Sequence, residues 1–204
     1  MNINTTEVRF SDKLEIGKLV FYLETDVTGF EDSEERLGKE AAEFNNVLIA
    51  GDEPFKQKEE IREFVKYTLK TNPTASITIH TDGNNKPVGL NKFSNFNNIK
   101  YVVFGKLARS NIPMDVRINE KNWKWFAAVG ANFVFDIYKE EEIDEIIMLM
   151  TILEIKKHQI YLNIKGDLDF KEMCFIAKSK GFNIYFEASQ DVFTSYWNTS
   201  RSEW

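Results

Sequence analysis

The stretch NVLIAGDEPFKQKEEIREFVKYTLKTNPTASITIHTDG, residues 46–83, decides the fold. Asn46 to Ala50 is a short apolar run of strand length. Lys56 to Thr71 places Ile61, Phe64, Val65 and Leu69 on one helical face and charges on the other. Ala75 to His80, with Ile77 and Ile79 alternating, reads as a second strand, and Asp82-Gly83 punctuates its end. A strand, a helix and a strand in succession predict one βα repeat feeding the next.

The same alternation runs outward in both directions. Strands are predicted at Lys18–Glu24, Lys100–Phe104, Asn132–Ile137, Gln159–Ile164 and Phe182–Glu187. Helices are predicted at Ser33–Phe44, Glu120–Val129, Glu140–Lys157 and Phe170–Lys180. Ser33 lacks the acidic partner of a full capping box, but acids fill the first turn after it. The Asn-, Gly- and Lys-rich segment Asp82 to Asn98 reads as a long loop, which in a compact domain is functional or mobile. Repeated βα units imply an α/β domain with a mostly parallel sheet, either open or curved into a full or partial barrel. Ligands in such folds sit at the carboxyl ends of the strands. No linker divides the chain, so residues 1–204 are read as one domain, with an aromatic tail from about residue 190.

Composition narrows the classes. With 204 residues, 43% of them hydrophobic and 17 of them Phe, the chain can bury a substantial core. A net charge of −6 argues against broad attraction to nucleic acid or anionic lipid. One cysteine, Cys174, provides neither an internal disulfide nor a thiolate metal site by itself, and reads as a buried small hydrophobe. Of the two histidines, His80 ends a strand and His158 sits in an exposed turn. No signal peptide or membrane span is visible, which makes the cytoplasm the expected compartment. Nucleophile–base, phosphate-loop and zinc-protease motifs do not stand out.

Gly51-Asp52-Glu53-Pro54 followed by Gln57 resembles the GGEP corner of radical S-adenosylmethionine (SAM) proteins. Ile79-His80-Thr81-Asp82-Gly83 is similar to their next strand end. Phe104-Gly105-Lys106-Leu107 with Ser110, then Ala131 to Asp136, then Gln159 to Leu162, resemble the 7-carboxy-7-deazaguanine synthase family, short radical SAM enzymes of queuosine biosynthesis. The likeness spans roughly Gly17 to Phe193 and implies a partial (incomplete) radical-SAM-like βα barrel. It also implies that Gly51, Asp52, Glu53, Pro54, Thr81 and Asp82 meet the amino end of SAM, and that Lys106, Arg109 and Asp136 meet a pterin-like substrate. An Asp in place of the second glycine works against SAM itself. The family holds a [4Fe–4S] cluster on three cysteines after the first strand, and between Ile16 and Phe44 this chain has none. Without the cluster no deoxyadenosyl radical forms.

Blander readings stand beside these. Asp52 and Glu53 could simply favour a helix N-terminus, and Lys106 and Arg109 could be solvated charges. Glu24 and Asp26 could hold magnesium through oxygen, though two acids in a loop are common. The expectation is a pseudoenzyme that binds a protein partner or a small molecule, a homodimer being one form of the first. The alternative is an enzyme of non-radical chemistry, metal-assisted through strand-end carboxylates, on a pterin- or nucleotide-like ligand. A flat doubly wound sheet would instead argue against SAM ancestry.

Overall fold

In the computed structural model, every predicted strand pairs in a single sheet. The structure describes residues 2–3, 5–10, 17–23, 30–31, 33–51, 53–92 and 96–185. Chain order is β1 (Asn2–Ile3), β2 (Thr5–Phe10), β3 (Gly17–Leu23), β4 (Phe30–Glu31), α1 (Glu34–Ala41), β5 (Asn46–Gly51) and α2 (Lys58–Thr71). Then come β6 (Ser76–Thr81), β7 (Ile99–Gly105), α3 (Met114–Arg117), α4 (Glu120–Ala128) and β8 (Asn132–Ile137). The last elements are α5 (Glu142–Ile152), β9 (Ile160–Ile164), α6 (Phe170–Lys180) and β10 (Asn183–Ile184). β1 and β4 pair with each other; the main sheet has the order β10-β9-β8-β7-β6-β5-β3-β2.

That order decides the architecture. From β3 to β10 each strand lies beside its predecessor in the main sheet, and all six of these pairings are parallel. The order never reverses. Right-handed crossovers that always step the same way put every helix on one face, as in a barrel, whereas a doubly wound sheet needs a reversal. Burial agrees. Val47, Ile49, Ile77, Ile79, Val103, Phe133, Phe135, Ile160 and Leu162 share one core with the inward faces of α1, α2, α4, α5 and α6. On the other face of β5, Leu48 and Ala50 form a separate small cluster. The sheet does not close on itself, because its outermost strands are β10 and β2. This is an α/β fold of βα units forming a partial barrel.

The helices form for the reasons their sequences give. Ser33 accepts a hydrogen bond from the Arg36 amide at 3.2 Å and so caps α1 without the acid of a full box. Within α2, Ile61, Phe64 and Val65 are wholly buried, each stabilising by roughly 1.5–3 kcal/mol. Gly38 lets α1 approach α2 closely: a Cβ there would lie 2.7 Å from Tyr67 Cβ and 2.8 Å from the Phe64 carbonyl oxygen. Gly38→Ala gains helix propensity of about 1 kcal/mol. It loses more by pushing two backbones apart, so a net loss of about 1–2 kcal/mol is expected from chemical denaturation.

Several boundaries differ from the sequence reading. β2 was not foreseen; it pairs antiparallel with β3. The helix expected over residues 140–157 is α5, which stops at Ile152. Glu154 turns left-handed at φ 59°, and the Ile155 amide donates back to the Met150 carbonyl at 3.0 Å, so Leu153 and Ile155 are buried without continuing the helix. The long loop contains the 3-10 turns Leu90–Lys92 and Phe96–Asn98, with Leu90 buried. Cys174 is only partly buried, a correction to its reading as a core residue. Met173 and Ala177 take the core-facing positions of α6, and Cys174 lies on the flank. His158 is exposed, as expected. Among the described residues, no helix is long and apolar enough to cross a membrane.

Candidate functional site

The carboxyl ends of β5 to β8 enclose a cleft of about 440 Å³. Its lining includes Gly51, Thr81, Asp82, Lys106 and Asp136, five of the nine positions singled out from sequence. His80, Phe104, Gly105 and Val134 complete much of the wall. The His80 and Phe104 rings meet at 4.9 Å between centroids. Glu53 and Pro54 are buried outside the lining. Arg109 is also outside it, stacked 3.5 Å over the Tyr138 ring. Asp52, Glu24, Asp26 and the aromatic tail lie outside the described residues.

The GDEP corner is built from its residue types. Gly51 has φ 135°, a conformation in which a side chain would be strained. Pro54 opens the 3-10 turn Pro54–Gln57 that leads into α2, and Glu53 caps that turn through the Phe55 amide at 3.0 Å. Pairing between β5 and β6 ends at Ile49 and Ile79, two residues short of both strand ends. Glu53 bridges the gap. Its carboxyl accepts from Thr81 Oγ1 at 2.9 and 3.0 Å and from the Asp82 amide at 2.9 Å. Thr81 Oγ1 in turn accepts from the Gly83 amide at 3.0 Å.

Burial first, and then hydrogen bonding and like charge from the neighbouring Asp82 carboxyl, together push the Glu53 carboxyl up to about 8. The backbone and Thr81 donors oppose this without overturning it. Asp82 also shapes its own turn, accepting from the Asn84 amide at 2.7 Å. Asn84 ties that turn to the start of α4, accepting from the Asn119 amide at 2.9 Å.

The opposite wall carries one cation, Lys106, and one acid, Asp136. Lys106 follows β7 and is exposed. The loop after it is held by an ion pair the sequence reading missed: Arg117 to Glu145 at 2.6 Å, the Arg117 side chain being 4% exposed. Arg117 also donates to the Lys106 carbonyl, and the other oxygen of Glu145 accepts the Ala108 amide at 2.9 Å. Gly105 makes room at this strand end, since a Cβ there would run into the Phe135 ring edge and the Trp123 indole. Asp136 accepts from Asn163 Nδ2 at 2.7 Å.

Two cofactor classes can be tested against these residues. The cluster of the resembled family needs three thiolates, and the chain has one cysteine, on α6. The residues present do not fit it. Among the described residues, no group of three or more His, Cys, Asp or Glu side chains could hold a metal ion.

The fold and cleft define the chain as an α/β protein of the partial-barrel class with a cleft at its strand ends. No protein-family model and no curated protein sequence matches it. Solved structures are similar, among them two of one protein. Streptococcus suis SuiB bound to S-adenosylmethionine is 14% identical, with a TM-score of 0.44 over 87% of this chain and 43% of that one. A second structure of Streptococcus suis SuiB is 16% identical, with a TM-score of 0.45 over 82% of this chain and 40% of the other. The chain therefore spans about two fifths of the length of either.

Proposed function

We propose that this protein is a radical-SAM-like binding protein that takes up a small molecule at the strand-end cleft and does not carry out radical chemistry. The observation that carries the reading is the convergence of Gly51, Thr81, Asp82, Lys106 and Asp136 on one cleft. Beside it stands the single cysteine, on a helix of the opposite face. Glu53 acts as the clamp that holds the β5 and β6 ends in place, and Asp82 is the acid that faces the ligand. The bare backbone of Gly51 gives a ligand's amino group close approach. The ligand class is a nucleoside- or pterin-like compound with a cationic or amino end, in keeping with the likeness of the chain to 7-carboxy-7-deazaguanine synthase. Binding, with a regulatory or partner-directed outcome, then replaces turnover.

Thermal melting with SAM, S-adenosylhomocysteine, pterins and nucleotides tests this. A cleft ligand at about one hundred times its Kd is expected to raise the melting temperature by about 5–10 °C. Asp82→Asn is expected to reduce that rise. Silence across the panel would sink the proposal, as would brown protein carrying iron and sulfide that cleaves SAM under reduction.

A further inference from the structure

We propose that Phe104 and His80 form a ring-binding wall in the cleft, against which a planar, amino-bearing heteroaromatic ring of the ligand stacks. This rests on the cleft being a ligand site, and names the residues that decide which ligands it takes. Three observations carry it.

The first is where the two rings sit. Ile79 and Val103 are wholly buried in the core shared with the helices. His80 and Phe104 follow them directly in β6 and β7, so strand alternation turns both the other way, into the cleft lining. Both are half-buried, and Phe104 belongs to neither apolar cluster of the described residues. A large apolar ring left part-exposed in a cleft is surface that a ligand can cover.

The second is preorganisation. His80 pairs with Val102 across β6 and β7, which puts Phe104 on the diagonal where aromatic side chains reach one another. The two ring centroids are 4.9 Å apart, with the planes at 58°. Tyr185, the residue after β10, meets Phe104 edge-on at 5.9 Å and 89°. β10 lies three places from β7 in the sheet, so this contact spans the inner face of the curved sheet. Two aromatic neighbours thus fix the Phe104 ring before a ligand arrives, and little side-chain freedom is lost on stacking.

The third is the match between the wall and the rest of the lining. Ala50 and Gly51 bring no bulky side chain to it, and its volume of about 440 Å³ holds a compound of one or two rings. Asp82 and Asp136 supply carboxylate acceptors at the same strand ends. A heteroaromatic ring with an amino group presents its face to the wall and its edge donors to the acids. An aliphatic amine satisfies the acids alone and leaves the wall bare.

The test titrates the full chain with adenosine, guanosine, inosine and pterin, and separately with ribose, lysine and methionine, by calorimetry and proton NMR. A ring compound is expected to bind, and the ringless ones to fail at equal concentration. The bound compound's ring protons should move upfield, the mark of protons lying over an aromatic face. Inosine, without guanosine's amino group, should bind more weakly than guanosine. Phe104→Leu keeps an apolar side chain but removes the π face; it should weaken binding by about tenfold or more and abolish the upfield shift. His80→Leu should weaken binding by about threefold. Phe104→Tyr should retain both affinity and shift, which separates loss of the ring from loss of the fold.

Equal affinity in wild type, Phe104→Leu and His80→Leu would overturn the wall and leave the cleft reading standing. So would binding of lysine or methionine that Asp82→Asn abolishes, with no ring compound bound. A ring compound bound to wild type without an upfield shift would overturn the wall even if Phe104→Leu did not fold. Equal affinity for guanosine and inosine would overturn the contact between ring edge and acids. Silence for every compound would overturn the cleft reading, and the wall with it.

Discussion

Glu53→Ala is expected to destabilise the protein by about 3–5 kcal/mol, read as a lower denaturation midpoint. The carboxyl is 3% exposed and receives the Phe55 amide, the Asp82 amide and the Thr81 hydroxyl. Removing it strands three donors at a place where β5 and β6 no longer pair. Glu53→Gln should cost less, because one oxygen remains to accept. The wild-type pH profile carries its own sign. The folded-state pKa is about 8 against an ordinary value of 4.5, so the folded protein holds the extra proton between those values. This contribution to stability is fully present below about pH 4.5 and is lost as pH rises through about 8, with a slope of at most about 1.4 kcal/mol per pH unit. Denaturation midpoints at pH 5 and pH 8.5 should differ in wild type, with the lower at pH 8.5, and the difference should shrink in Glu53→Gln. A wild-type stability flat in pH, or rising over that window in step with a Glu53-dependent term, would refute the assignment.

Arg117→Met is expected to cost about 3–5 kcal/mol, because it leaves Glu145 partly buried without its counter-charge. It also removes a donor to the Lys106 carbonyl, so the loop that carries Lys106 and Arg109 loses its anchor. The double variant Arg117→Met with Glu145→Leu should recover much of the stability, since an apolar pair of similar volume replaces a desolvated one. A double-mutant cycle on urea denaturation measures the coupling, and a coupling near zero would show that the pair does not act as a unit.

Local patterning was enough for the strands and helices from β3 to β10 other than β4 and α3, which were not foreseen. Each is an apolar run or an amphipathic face, and burial follows directly from the alternation of side chains, as at Ile77 and Ile79. The strand-end location of Gly51, Thr81, Asp82, Lys106 and Asp136 followed from the same reading, because the end of a strand is visible wherever its apolar run stops. Pairing partners were not visible. β2 has no helix before β3, and its antiparallel place depends on which edge of the sheet is open. The inward use of Glu53 was hidden because its partners Thr81 and Asp82 stand 28 and 29 residues away. Arg117 and Glu145, 28 residues apart, likewise carry no local sign of their pairing.

The sequence by itself determined the βα alternation, the Gly and Pro that shape the corner after β5, and a cysteine count too small for the cluster. Tertiary structure alone decided that the strand order never reverses, which places the helices on one face and leaves the sheet as a partial barrel. It also decided which carboxyls are spent inside the protein and which charges remain at the cleft. The physical reason is common to both: propensity and periodicity act between neighbours in the chain, whereas sheet order, buried ion pairs and hydrogen-bonded clamps act between residues that only the fold brings together.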